Sequence, residues 1–449
     1  MSAAAAPNHS SAFRTRRFAN WFPLGLTYAT LYMGRYNFNV SKGAIGEAYH
    51  FDKATMGWIA TAGFWTYMLS VLFNGPLADR FGGRRAILFC TAGATALNLA
   101  IGLLFMKGWP VGLIGGMSVL YSINMYFQSY GALSVVKVNA AWFHVRERGV
   151  LGGVFGSMIP AGYWLAYGIC GWILAKAPLW AVYVVPAATI SVMLFVDLFL
   201  VRDRPSDAGH DDFETGDEHV EEPPPASRAA PHYRESAKDE EPQAGFFDVT
   251  RHVLSHPVIR RLAIAEFCTG IVRQGLLLYF PEFLKEVHGV KAGTPLFQLA
   301  STGITIGGIV GALTCGVLSD RLFQSRRPPV AFIFYLGQIV SLLVLGWVGS
   351  ASAAAFMIGF SCMWIFGVHG MLSGTASMDF GGRKAAATAA GLLDGIQYFG
   401  AGLTGFGLGA ILDKWHWGVW TYVLVPFAAI GALLMLTLWN AKPKGRPAH

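Results

Sequence analysis

The sequence predicts an all-α membrane protein, with twelve transmembrane helices in two related bundles of six. Three observations carry that expectation. Of 449 residues, 54% are hydrophobic, only 13% are charged and 54 are glycine, and the mean hydropathy of +0.44 is too high for a soluble fold. Apolar stretches of about twenty residues, each long enough to cross some 30 Å of hydrocarbon, recur from Trp21 to Trp439. A short motif near the end of the second stretch returns in the second half of the chain. A soluble enzyme, a nucleic-acid-binding protein and a secreted disulfide scaffold are all excluded by this composition.

Apolar runs bounded by charged or turn-forming residues predict helices near 21–42, 56–78, 86–106, 111–137, 149–175 and 178–201. A second six is predicted near 262–284, 297–318, 328–349, 352–378, 386–410 and 417–438. Residues 1–18 form a polar tail with Arg14, Arg16 and Arg17. The first apolar run is too long for a signal peptide and lacks a small-residue cleavage site, so it is expected to be retained as a span. The division that follows is a bundle over 19–202, an acidic linker over 203–256, a second bundle over 257–440 and a tail over 441–449. The linker includes Glu221-Glu222-Pro-Pro-Pro225 and is too polar to bury apolar surface, which predicts disorder or loose helix.

The net charge of +8 conceals a division. From Asp203 to Glu241 there are 13 acidic and 4 basic residues, against 30 basic and 13 acidic elsewhere. The basic residues fall mostly in short loops and in the tails, where they act as topogenic charges. One side carries Arg14, Arg16, Arg17, Arg80, Arg84, Arg85, Arg146, Arg148, Arg321, Arg326, Arg327, Arg383, Lys384, Lys442, Lys444 and Arg446, and the other only Lys42, Lys53, Lys107, Lys176, Lys285, Lys291 and Lys414. Both termini and the linker are therefore expected in the cytoplasm, with the body in a bacterial inner membrane. Cys90, Cys170, Cys268, Cys315 and Cys362 lie in or beside apolar runs without paired spacing, so neither a disulfide framework nor a metal site is expected.

The repeated motif is Gly75-Pro-Leu-Ala-Asp79-Arg80, which returns 241 positions later as Gly316-Val-Leu-Ser-Asp320-Arg321. Each copy ends the second helix of its half and precedes paired arginines, which indicates a parallel internal repeat around a central cavity. In this the chain resembles the major facilitator superfamily. The resemblance implies a gating and packing role for Asp79, Arg80, Asp320 and Arg321.

Charges inside the apolar runs are the next signal. Counted at 1.5 Å per residue, Arg35 lies about 20 Å into the first helix and Arg273 about 17 Å into the seventh, both near mid-membrane. They are 238 positions apart, within one helical turn of the repeat offset, and so face each other across the two bundles. An arginine at such depth costs about 2.5–3.5 kcal/mol on insertion scales. A guanidinium is permanently charged and its planar fork suits phosphate. A phosphate held between two forks meets both requirements; pairing of each arginine within its own bundle is the other possibility.

Around these residues the sequence is similar to the organophosphate:phosphate antiporters over nearly its full length. Tyr28-Ala-Thr-Leu-Tyr32-Met-Gly-Arg35-Tyr36-Asn37-Phe38 resembles their first-helix motif, and Arg273-Gln-Gly-Leu-Leu-Leu278-Tyr-Phe-Pro281-Glu-Phe-Leu-Lys285-Glu286 their seventh-helix pattern. Arg383-Lys384-Ala-Ala-Ala-Thr388-Ala-Ala-Gly391 resembles their loop before the eleventh helix. The resemblance implies that Arg35 and Arg273 grip phosphate, as the arginine pair does in the glycerol-3-phosphate and hexose-6-phosphate exchangers. It also implies cavity positions for Tyr67, Gln128 and Tyr398. There are departures: Tyr36 and Leu278 stand where the glycerol-phosphate exchanger has a lysine and an aspartate, and Val71, Ile159 and Thr305 replace further polar groups. Substrate identity therefore does not carry over.

Asp394-Gly395 resembles a stretch of the eukaryotic sugar-phosphate exchangers, about 15 Å inward of Lys384. Asp394 could carry a proton, accept from substrate hydroxyls or pair with an arginine. Glu266, seven residues before Arg273 on a similar face, is a second candidate for proton coupling, and its place about four residues inside the seventh helix predicts an interfacial carboxylate near the vestibule. His369 is expected to be hydrogen-bonded structure.

The expected function is exchange of a phosphorylated small organic molecule for inorganic phosphate by a lipid-embedded monomer. Arg35 and Arg273 would hold the phosphoryl group, with Tyr28, Tyr32, Tyr67, Gln128, Asp394 and Tyr398 near the organic part. No cofactor, nucleic-acid partner or enzymatic chemistry is expected. Two alternatives stand beside it: a proton-coupled symporter of a carboxylate or phosphonate, and a transporter-like membrane sensor of sugar phosphate.

Overall fold

The computed structural model describes residues 9–109, 112–144, 147–215, 257–324, 326–372 and 386–441. The first half contains α1 (Ser11–Tyr49), α2 (Lys53–Phe81), α3 (Gly83–Met106), α4 (Leu113–Gln128), α5 (Tyr130–Trp142), α6 (Arg148–Trp164), α7 (Cys170–Lys176) and α8 (Ala181–Leu200). The second half contains α9 (Pro257–Leu277), α10 (Phe280–His288), α11 (Pro295–Leu322), α12 (Arg327–Trp347), α13 (Ala351–His369), α14 (Ala386–Leu403), α15 (Gly409–Trp415) and α16 (Trp420–Thr437). No strand occurs among the described residues. Nine of the described helices are long and apolar enough to cross a membrane, or ten if the bent pair α9 and α10 is one span. Leu69, Phe73, Val136, Phe199, Leu313 and Phe356 are exposed on the outside, as lipid contact requires.

Several predicted runs are single spans with a break. The fourth divides at Ser129 into α4 and α5. The fifth is α6 and α7 joined by a π turn at Leu165–Ile169, and the eleventh is α14 and α15 joined by one at Thr404–Leu408. The two π turns start 239 residues apart, at equivalent places in the repeat. The seventh bends by 42° between α9 and α10. Pro281 has no N–H for the carbonyl of Leu277, and the Tyr167 hydroxyl of the first half donates to that carbonyl instead, at 2.8 Å.

Some boundaries differ from expectation. Helix α1 starts at Ser11 because Ser10 caps it, accepting from the Phe13 N–H at 3.2 Å, so much of the predicted polar tail is helical. The start of the acidic linker is ordered. Asp203 accepts from the Arg84 N–H at 2.8 Å, at the beginning of α3, where helix N–H groups need an acceptor. Most of the linker, residues 216–256, lies outside the described residues.

Between the halves, α2 packs on α14 and α6 on α11; each interface is the image of the other under the repeat. Small residues permit the approach: a Cβ on Gly57 would fall 2.1 Å from the Gly405 carbonyl oxygen. On the side away from the chain termini, the halves are tied by ion pairs. Lys42 Nζ lies 2.8 Å from Glu282 Oε2 and Lys53 Nζ 3.0 Å from Glu286 Oε2, and Lys285 pairs with Glu47. Asp413 accepts from the N–H groups of Lys53 and Ala54 at the start of α2. Lys42 was expected to be a loop charge; it is fully buried and sits 3.6 Å from the Tyr279 ring centre.

Candidate functional site

Arg35 is held by a ladder of amides inside the first half. Its Nε donates to Gln128 Oε1 at 2.9 Å and its guanidinium to the Gln128 carbonyl at 3.2 Å. Gln128 in turn donates to Asn124, and Asn124 to the Gly34 carbonyl, which also accepts from Asn98. The Tyr121 hydroxyl donates to the carbonyl of Arg35 itself. The guanidinium carbon lies 4.8 Å from the ring centres of both Tyr32 and Tyr67. Such stacking suits a cation that has little water around it.

Arg273 has a different surround. One terminal nitrogen lies 3.0 Å from His369 Nε2, and the guanidinium stands 5.6 Å from the Tyr398 ring centre. Neither arginine is in an ion pair among the described residues, although Arg35 is fully buried and Arg273 almost so. The Nη1 of Arg35 and the Nε and Nη2 of Arg273 are buried without a hydrogen-bond partner. Three orphaned cationic donors in one region are costly, and the place they surround could take an anion.

That place is walled by tyrosines. Tyr28 packs on Tyr32 with ring centres 5.5 Å apart, Tyr32 on Tyr36 at 5.5 Å, and Tyr67 on Tyr398 at 4.2 Å. Gln274 donates to the Tyr36 hydroxyl at 3.2 Å, joining residues 238 positions apart. Residues related by a repeat can touch only near its axis, so the arginines that immediately precede this pair straddle that axis. Asp394 is half-buried on α14 and interacts electrostatically with both arginines. A separate cavity of about 570 Å³ on the far side, lined in part by Glu282, Lys285 and Lys291, reaches neither arginine.

Sequence reasoning missed Tyr163, whose ring centre is 4.9 Å from Tyr36 and 5.2 Å from Tyr32. Its spacing of four from Tyr167 was the available signal. It also missed Gln397, whose amide nitrogen lies 2.8 Å from Glu266 Oε2 and 2.7 Å from His369 Nδ1. Glu266 itself needs correction. Helix α9 begins at Pro257 rather than near residue 262, so Glu266 is not an interfacial carboxylate but a fully buried one. Gln128 is occupied by Arg35 and acts through it.

In the loop motifs, Asp320 lies 3.0 Å from Arg327 of its own half, and Arg80 is exposed. Arg321 lies in the last turn of α11. The Asp79 side chain, the loop from Arg383 and the end of the predicted helix at 352–378 fall outside the described residues. Among the described residues no cluster of metal-ligating side chains occurs.

The family model of the Major Facilitator Superfamily matches residues 24–405. The chain belongs to that superfamily. It is a multi-pass membrane transporter and not an enzyme. The transporter is 29% identical to the membrane sensor protein UhpC of Escherichia coli, over 93% of this chain and 91% of that one. It is 27% identical to a probable hexose phosphate transport protein of Chlamydia trachomatis, covering 97% and 93%. To the glycerol-3-phosphate transporter of Bacillus subtilis it is 26% identical, covering 96% and 94%. Among solved structures, a bacterial homologue of the human lysosomal transporter Spinster, inward-facing and unoccupied, superposes with a TM-score of 0.70 at 17% identity, covering 98% of this chain and 100% of that one. At that identity the likeness establishes the fold alone.

Proposed function

We propose that the transporter exchanges a phosphorylated small organic molecule, of the sugar phosphate or glycerol phosphate class, for inorganic phosphate by alternating access. The observation that carries this reading is the set of unpaired donors on Arg35 and Arg273, buried and astride the repeat axis. A tetrahedral dianion accepts from both forks at once and balances both charges. The names of the relatives, a hexose phosphate transport protein and a glycerol-3-phosphate transporter, support the same substrate class. In this reading Tyr28, Tyr32, Tyr67, Tyr398 and Asp394 contact the organic part, while Gln128 holds Arg35 in place.

The protein works as a monomer in a bacterial inner membrane with both termini in the cytoplasm. The units 19–202 and 257–440 rock about the arginine pair, and the ion-paired far side is the periplasmic gate. Exchange follows from electrostatics. In the empty carrier the facing guanidinium groups repel as the bundles close; a bound dianion removes that repulsion and permits the other opening.

Counterflow in proteoliposomes tests the reading. Labelled inorganic phosphate is expected to enter faster when the lumen holds phosphate, with no pH gradient imposed, and external hexose phosphate or glycerol phosphate is expected to compete. Uptake that requires a pH gradient and ignores internal phosphate would replace exchange by proton-coupled symport, with Asp394 or Glu266 as the coupling group. The similarity to UhpC favours a second reading, a membrane sensor. That reading predicts binding of sugar phosphate without counterflow.

A further inference from the structure

Beside Arg273 lies a linked row of four side chains from three helices: Arg273 and Glu266 on α9, His369 on α13 and Gln397 on α14. Glycines bring α9 and α14 close enough for it. A Cβ on Gly270 would fall 2.0 Å from the Gln397 carbonyl oxygen, and one on Gly400 would fall 2.3 Å from that of Phe267.

Donors and acceptors in this chain constrain one another. A guanidinium only donates, so His369 Nε2, 3.0 Å from the Arg273 nitrogen, must accept. A neutral imidazole has one lone-pair nitrogen, so Nδ1 carries the hydrogen and donates. Its partner is the Gln397 amide atom 2.7 Å away, which must therefore be the oxygen. Amide oxygen and nitrogen are interchanged by a half-turn and are assigned from the bonding network. Here the turn exchanges the bond that the amide nitrogen donates to Glu266 Oε2 for one that the amide oxygen accepts, and it moves the nitrogen to the place where the other amide atom has no partner. The oxygen then lies 2.8 Å from Glu266 Oε2, and two acceptors at that distance bond only if the carboxyl supplies a hydrogen. The second Glu266 oxygen is buried without a partner, which is costly for a carboxylate and far less so for the carbonyl of a neutral acid.

We propose that Glu266 is a proton-carrying site of the transporter, protonated in the unliganded state, and that its proton and the phosphate on Arg273 bind cooperatively. This rests on the reading of Arg273 as a phosphate ligand. The sign follows from charge. Ionised Glu266 would offset Arg273 and repel a dianion, whereas neutral Glu266 leaves the positive cavity intact, and the linkage is reciprocal. The other groups around Glu266 agree with it. Asp394 on α14 is a half-buried carboxyl that interacts electrostatically with Glu266, and like charges oppose each other's ionisation. Tyr335 on α12 donates to the Ala265 carbonyl and shares its hydroxyl with Thr269. Helix α16 contributes no charged residue, since Trp420–Thr437 contains none.

Infrared spectroscopy of the reconstituted full chain at neutral pH should show a protonated carboxyl band that Glu266→Gln removes. The nitrogen NMR signal of His369, identified by its loss in His369→Gln, should place the hydrogen on Nδ1. Inorganic phosphate binding should weaken by about tenfold per pH unit above the Glu266 titration, relative to Glu266→Gln, the slope of one linked proton. A band unchanged by Glu266→Gln, a hydrogen on Nε2, or parallel pH profiles for the two proteins would overturn the proposal. If Glu266→Gln fails to fold, the His369 signal of the natural protein still decides. If the natural protein binds no phosphate, the exchange reading fails, while the infrared and NMR results still judge Glu266.

Discussion

Arg35 and Arg273 are alike in burial and opposite in support. Arg35 is fixed by Gln128 and two tyrosine rings; Arg273 is held by one histidine, with two nitrogens unpaired. Replacing either by lysine keeps the charge and removes the fork. Each of Arg35→Lys and Arg273→Lys should insert normally and weaken inorganic phosphate binding roughly ten- to a hundredfold, the worth of a lost charged hydrogen bond. Isothermal titration measures it, and unchanged affinity in both variants would remove the phosphate clamp. Asp394→Asn should weaken organophosphate far more than inorganic phosphate, because only the former offers alcohol hydroxyls. Equal loss of both in competition binding would point to a structural pairing with an arginine.

Among the elements, breaks in the helices carry as much as the helices themselves. The π turns at Leu165–Ile169 and Thr404–Leu408 turn carbonyls outward, and partners take them up: Gln298 donates to Gly168, and Tyr279 to Gly405. At the bend before α10, the Lys42–Glu282 pair joins the halves with both partners buried. Removing one member of a buried pair costs about 3–5 kcal/mol. Glu282→Gln should therefore favour the state open on the far side, read as longer distances between spin labels on Glu47 and Lys291 in double electron-electron resonance. Unchanged distances would mean that the pair only stabilises the fold. By contrast Asp320 is exposed in its pair with Arg327, so loss of that pair in Asp320→Asn should cost no more than about 1 kcal/mol of thermal stability. A much larger loss in a melting experiment would place the motif in folding rather than in gating.

For the whole molecule, the contacts between halves fall into two kinds. Helix packing of α2 on α14 and α6 on α11 runs through the middle, where glycines and the Thr61 hydroxyl, which donates to Gly402, make the fit. Ion pairs and the Asp413 cap close the far side. A carrier of this kind should respond globally to a local anion. Saturating phosphate, at about 100 times its dissociation constant, should raise stability by about 2.7 kcal/mol and slow hydrogen exchange on both sides of the arginine pair. Protection confined to one half would contradict a ligand shared between the bundles.

Much of this was legible in the chain. Membrane crossing depends on runs of apolar residues, a local property, so the spans were visible although their caps and breaks were not. The offset between Gly75–Arg80 and Gly316–Arg321 revealed the repeat, and the repeat placed Arg35 opposite Arg273. The contact of Tyr36 with Gln274, at the same separation, agrees with that arithmetic. Of the groups around the arginines, Tyr32, Tyr67, Gln128 and Tyr398 were named from the sequence, and the rest were not legible. The burial of Glu266, the chain through Gln397 and His369, the entry of Tyr163 and the pairing of Lys42 with Glu282 all depend on how helices are rotated and how closely their backbones approach. Gly270 and Gly400 permit that approach, but no single helix records it. By itself the sequence determined the class, the spans and the two central charges, because hydrophobicity and charge act on each segment separately. Only the tertiary structure decided which donors are paired and which are left without a partner, because pairing is a property of neighbours far apart in the chain.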